Sequence, residues 1–197
     1  MTKLLKKATE VEALEDKTHF GFWVYLMTDC ILFASLFATY VVLRGNTASG
    51  PSGHELFDLP MVLVETLILL TSSFACGLAM LALKRGDKRQ LVGWLAATYV
   101  LGVAFLVIEL NEFAVLVTEG HGWQQSAFLS AFFTLVGTHG VHITIGLLWL
   151  LVLVCVLFKR GFSDKLRRQF VLFSLFWHFL DVIWIFIFTI VYLMGAA

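Results

Sequence analysis

An all-α membrane protein with five spans is the fold class this sequence predicts, and three observations predict it. Of its 197 residues, 59% are hydrophobic and only 14% are charged, with a mean hydropathy of +0.87. A soluble domain carries about 45–50% apolar and about 25% charged residues. Five apolar runs each reach the roughly 20 residues that a helix needs to cross a bilayer, and the chain has room for about six or seven at most. The basic residues cluster between alternate runs, as the flanks of a polytopic protein do.

The same numbers exclude other classes. Lys and Arg total 14, as do Asp and Glu, so no basic surplus is present to meet nucleic-acid phosphates, and the chain is far too apolar to be disordered. Cys30, Cys76 and Cys155 all fall inside apolar runs, where a thiol acts as a small hydrophobe and not as part of a disulfide framework. Residues 1–19 mix Lys3, Lys6, Lys7, Glu10, Glu12, Glu15, Asp16 and Lys17, so they contain no continuous apolar core of a signal peptide. This cytoplasmic tail is either solvated or a short interfacial helix through Leu4, Ala8, Val11 and Leu14.

The membrane domain, residues 20–195, divides into runs Phe20–Leu43, Pro60–Leu83, Leu91–Val117, Ser126–Phe158 and Phe170–Met194. Pro60 suits the first turn of the second helix, with Asp58 as its cap. The two prolines, Pro51 and Pro60, leave every run uninterrupted, which speaks against the broken helices of a transporter. The fourth run is the longest and must tilt or project. Thirteen of the 14 basic residues sit in the tail, in Lys84–Arg89 and in Lys159–Arg168, with Arg44 alone opposite. The positive-inside rule therefore expects a cytoplasmic N-terminus and a periplasmic C-terminus.

Five acids fall inside the runs: Asp29, Glu65, Glu109, Glu112 and Asp181. His139, His142 and His178 are the only residues there able to become cationic. At 1.5 Å per residue, Asp29 and Asp181 lie roughly 13 and 16 Å from the cytoplasmic edge, whereas the three glutamates belong to the outer leaflet. A charged carboxylate in lipid costs several kcal/mol, so each acid must be protonated, hydrogen-bonded or wetted. Spacing places His178 and Asp181 on one helix face, likewise Glu109 and Glu112, and sets Trp177, Asp181 and Trp184 in a stripe.

Four readings fit these groups. Histidines on neighbouring helices suit a b-type haem, although one helix would supply both His139 and His142. A transition-metal site from those two and a carboxylate is a second reading. Acids at two depths suit a proton relay through water. The fourth is architectural: hydrogen bonds between membrane helices contribute about 0.6–2 kcal/mol each, and Gly137, Gly140 and Gly146 beside the histidines allow close approach. The architectural reading leads.

Three strings are more specific than composition. They are Gly21-Phe22-Trp23 leading to Thr28-Asp29-Cys30, Gly137-Thr138-His139-Gly140-Val141-His142, and Phe176-Trp177-His178-Phe179-Leu180-Asp181-Val182-Ile183-Trp184. In this order, from about Phe20 to Gly195, the chain resembles subunit III of the haem–copper oxidases. Asp29 stands where the mitochondrial-type subunit usually has a carbodiimide-reactive glutamate. Five spans in place of seven, Thr28-Asp29-Cys30 and Leu63-Val64-Glu65-Thr66 look like the bacterial cytochrome bo-type ubiquinol oxidase branch.

The resemblance implies a non-catalytic subunit without catalytic, cofactor-binding or metal-binding residues, beside subunit I, which carries the haems and copper. It implies a bundle with a phospholipid-filled cleft between helices 1–2 and helices 3–5. Expected partners are subunit I, subunit II, a small subunit IV and membrane phospholipids, in the bacterial inner membrane. Asp29, Glu65, Glu109, Glu112, His139, His142, His178 and Asp181 are then structural or lipid-cleft residues. A five-span cytochrome c oxidase subunit III is the alternative, followed by a stand-alone transporter or proton channel.

Overall fold

The computed structural model describes residues 2–47 and 59–196, with side chains for 17–47 and 59–195. Five long helices follow one another: α1 (Thr2–Leu43), α2 (Leu59–Arg85), α3 (Lys88–Thr118), α4 (Ala127–Arg160) and α5 (Asp164–Ile187). α5 runs on through a π-helical turn, Phe188–Leu193, into the short α6 (Met194–Ala196), and the described residues contain no strand. Each of the five carries a stretch long and apolar enough to cross a membrane, α5 together with the π turn. The chain is a multi-pass membrane protein.

The helix ends follow local chemistry more closely than hydropathy does. α3 starts at Lys88 because the Asp87 carboxylate accepts from the backbone N–H of Arg89 and Gln90. The Ser126 hydroxyl caps α4 by accepting from Leu129 N–H at 3.1 Å. Ser163 does the same for α5 through Leu166 N–H at 3.2 Å, so that helix begins six residues before the predicted apolar run and includes Lys165, Arg167 and Arg168. Such caps satisfy N–H groups that the first turn leaves unpaired. Asp58, the expected cap of α2, lies outside the described residues. α1 is helical from Thr2 without a break; Gly21 is its first glycine and no proline interrupts it.

Connection length decides which helices become neighbours. Only Gly86, at φ +75°, and Asp87 separate α2 from α3. A link this short forces an antiparallel pair, and α2 lies along α3. The link from Leu43 to Leu59 is far longer and leaves α1 free to settle elsewhere. α1 packs on α4 and α5, tied at one end by Phe128 N–H donating to the Asn46 carbonyl at 3.3 Å. The expected division of helices 1–2 from helices 3–5 by a lipid cleft is therefore corrected. α4 and α5 together form the hub, α4 touching α1 and α3 and α5 touching α1 and α2.

Two tryptophans of α5 form the core of that hub. The Trp177 indole, 1% exposed, fits between the bare backbones of Gly102 on α3 and Gly146 on α4. A Cβ built on either glycine would come within 2.9 Å of its ring carbons. Its Nε1–H donates to Ser72 Oγ at 3.3 Å, and Ser72 donates onward to the Thr98 carbonyl at 3.0 Å. Trp184 donates to Thr66 Oγ1 at 3.0 Å and meets Phe105 edge-on at 4.6 Å between centroids. The tryptophan stripe read from the sequence is thus a helix-packing device.

Candidate functional site

The intramembrane acids and histidines gather into three groups. The first joins α1 to α4. Asp29 Oδ2 lies 3.8 Å from His142 Nε2, with the two side chains 9% and 12% exposed. His142 Nδ1 is 2.8 Å from the Thr138 carbonyl. A carbonyl only accepts, so Nδ1 carries a proton, and Nε2 carries a second only when the imidazole is cationic. At 3.8 Å the contact is an ion pair or a polar approach, too long for a hydrogen bond.

His139, one turn earlier, faces elsewhere. It is fully buried among Phe33, Phe105 and Trp184, with centroids at 6.4, 6.0 and 5.3 Å. Neither of its ring nitrogens has a hydrogen-bond partner among the described residues. The Phe33 ring also lies 5.2 Å from His142, so it separates two histidines that do not bond each other, and no cluster of three or more metal-ligating side chains occurs among the described residues.

The second group joins α2, α3 and the π turn. Glu65 of α2 and Glu109 of α3 are buried, at 0% and 1% exposure, and none of their four carboxyl oxygens has a hydrogen-bond partner among the described residues. Both interact electrostatically with Glu112. Tyr192, in the π turn, donates its hydroxyl to Glu112 Oε2 at 3.4 Å. Glu109 can approach α4 because Gly140 has no side chain: a Cβ there would lie 3.0 Å from Oε1. Nearby, Tyr40 of α1 reaches the Val191 carbonyl at 3.3 Å. Glu109 and Glu112 do share a face, as the spacing predicts.

The third group joins α2 to α5. Ser73 Oγ lies 2.6 Å from His178 Nδ1, and Asp181, on the same face as His178, interacts with both. Asp181 Oδ1 is buried without a hydrogen-bond partner among the described residues. This group borders an open groove of about 490 Å³ between α2 and α5.

Sequence reasoning singled out all eight ionisable residues and missed their partners. Ser73 and Tyr192 are partners of His178 and Glu112, while Thr66, Ser72 and Tyr40 bond Trp184, Trp177 and the Val191 carbonyl beside them. A signal for three of them exists, because Thr66 and Ser73 are seven apart with Ser72 beside them, which marks one polar stripe along α2. Every one of these polar contacts crosses between helices, so the site as built holds a bundle together. Lipid-facing tryptophans are a separate matter: Trp94 and Trp123, near helix ends, are exposed as interfacial anchors are.

Comparison with known proteins places this architecture. Residues 6–196 match the family model described as cytochrome c oxidase subunit III. The chain is 54% identical over its whole length to cytochrome bo(3) ubiquinol oxidase subunit 3 of Pseudomonas aeruginosa, covering 97% of that protein. It is 49% identical to cytochrome c oxidase subunit 3 of Bacillus sp. (strain PS3) over 93% of this chain and 89% of the relative. With cytochrome bo(3) ubiquinol oxidase subunit 3 of a Buchnera aphidicola strain it shares 41% identity over 98% of this chain and all of that one. The chain belongs to the cytochrome c oxidase subunit III family.

Proposed function

We propose that this chain is the non-catalytic third subunit of a quinol-oxidising, proton-translocating haem–copper oxidase of the bacterial inner membrane. The observation that carries the reading is the use made of its intramembrane polar groups. Trp184–Thr66, Trp177–Ser72, Ser73–His178 and Asp29–His142 each join one helix to another. Groups committed to such contacts hold a shape for a partner to dock on. Electron transfer from quinol to oxygen then belongs to subunit I with its haems and copper, beside subunit II and a small subunit IV. Phospholipids cover the outward apolar faces, such as Phe20, Met27, Ile31 and Val42 of α1. The basic loops support a cytoplasmic N-terminus and a periplasmic C-terminus.

Quinol is favoured as the electron donor by the full-length relative at 54% identity. A cytochrome c donor is the second reading, supported by the Bacillus relative at 49%. Purification through a tag on this chain tests both together. The expected outcome is a haem-bearing complex that oxidises quinol and whose subunit II lacks a copper centre. Copper in subunit II would move the chain to the cytochrome c branch, and recovery of this chain alone would remove it from any oxidase.

A further inference from the structure

The groove between α2 and α5 is open, and its floor carries polar side chains. Ser73, His178 and Asp181 line it together with apolar residues that include Phe74, Gly77 and Leu78. Phe74 is 68% exposed, and nothing stands within 4 Å of where a Gly77 Cβ would be, so the entrance is open. Ser73 and His178 sit at the middle of their spans, Leu59–Arg85 and Asp164–Leu193, roughly 20 Å from either end.

That depth selects the occupant. The hydrocarbon layer is about 30 Å thick, so a phospholipid headgroup cannot descend to its centre, and an acyl chain offers no hydrogen bond. A polar group facing hydrocarbon costs several kcal/mol when unsatisfied, and His178 and Asp181 are only half-buried where they line the groove. A ligand must therefore be lipid-soluble, uncharged and furnished with hydrogen-bonding groups at one level. A benzoquinol has two hydroxyls to donate to a carboxyl and an imidazole, and its quinone has two carbonyls to accept from a hydroxyl. The groove volume of about 490 Å³ falls within the range of about 300–1,000 Å³ typical of small-molecule pockets.

We infer that the α2–α5 groove binds a quinol or quinone ring, with Ser73, His178 and Asp181 as its hydrogen-bonding floor and Phe74 as an apolar wall. The choice of ligand rests on the proposed quinol-oxidising complex, and relatives named ubiquinol and quinol oxidase subunits supply that class. The site is a binding site only. No electron transfer is assigned to it.

The test is photolabelling of the purified intact oxidase with an azido-ubiquinone, followed by peptide mapping. Adducts are expected on residues 70–81 or 178–185 of this chain, and excess unlabelled ubiquinone should suppress them. Gly77→Leu, which fills the groove, and Asp181→Asn, which alters its floor, should each lower labelling about tenfold. Competition in the wild-type complex needs no variant, so a failure of either variant to assemble leaves the test intact. Absence of adducts on this chain would overturn the inference, as would labelling indifferent to excess ubiquinone. So would a cysteine at position 77 that cross-links efficiently to a helix of another subunit. A complex that oxidises cytochrome c and not quinol would defeat the proposed donor, while the competition result would still decide the groove.

Discussion

Replacing Gly146 by alanine adds one methyl group where the bundle has no room for it. Its carbon would lie 2.9 Å from Trp177 Cζ3, 3.1 Å from Cε3 and 3.2 Å from Phe176 Cε1. Comfortable carbon contacts lie at about 3.5–4.0 Å, so α4 and α5 must separate by several tenths of an ångström, or the indole must turn. The indole cannot turn freely, because Gly102 confines it from α3 and its Nε1–H is held by Ser72. Overpacking of this kind costs about 1–3 kcal/mol, offset by up to about 1 kcal/mol from alanine's helix propensity over glycine. After the full offset the net loss is up to about 2 kcal/mol, a factor of up to about 30 in the equilibrium. Detergent- or heat-driven loss of this subunit from the purified oxidase, followed by native gels, measures it. Gly146→Ala should leave the complex at lower temperature, and Gly102→Ala should do likewise. Gly93→Ala, which meets nothing within 4 Å, should be retained at least as well as wild type. In a double-mutant cycle, Trp177→Phe should relieve part of the Gly146→Ala defect, with a coupling above about 0.5 kcal/mol. Equal retention of Gly146→Ala, Gly102→Ala and wild type would refute the reasoning that Trp177 locks three helices.

Three other outcomes follow from the contacts between helices. Asp29→Asn should leave initial oxygen reduction close to wild type and weaken retention of the subunit by about 1 kcal/mol, read by turnover before and after prolonged incubation; collapse of initial turnover in an assembled complex would place Asp29 on a proton path. Trp184→Phe and Thr66→Val should each lose about 1 kcal/mol of stability, and combining them should add little, because both remove the one bond between Nε1 and Oγ1. Single cysteines in the tail and at Lys88 should react with an impermeant maleimide only from the cytoplasmic side of oriented vesicles, and reaction of both from the periplasmic side would reverse the topology.

Much of this fold was legible in the sequence because the bilayer imposes a blunt rule: apolar length predicts helix. Five long apolar helices cover the five runs, with starts displaced where a cap such as Ser163 or Asp87 overrides hydropathy. Neighbour relations were less legible. The two-residue link at Gly86–Asp87 already dictates that α2 and α3 pair, yet the resemblance to seven-span relatives suggested grouping the first two helices. The π turn at Phe188–Leu193 has no proline or glycine to announce it. It emerges only from tertiary contacts, with Tyr192 on Glu112 and Tyr40 on Val191. For the candidate site, spacing was enough to join His178 to Asp181 on one face. Pairing Asp29 with His142 depends on how α1 and α4 are rotated against each other, and periodicity along one chain does not encode that angle.

The claim on which the account turns is that the polar side chains inside these helices hold an assembly together while other subunits handle electrons. Haem and copper content per subunit I, compared between oxidase purified with this chain and oxidase purified from cells lacking it, tests that claim most directly. The account predicts the same haem and copper complement in both, with the smaller complex less durable. A shortfall of one whole haem or one copper in the complex without this chain would contradict it.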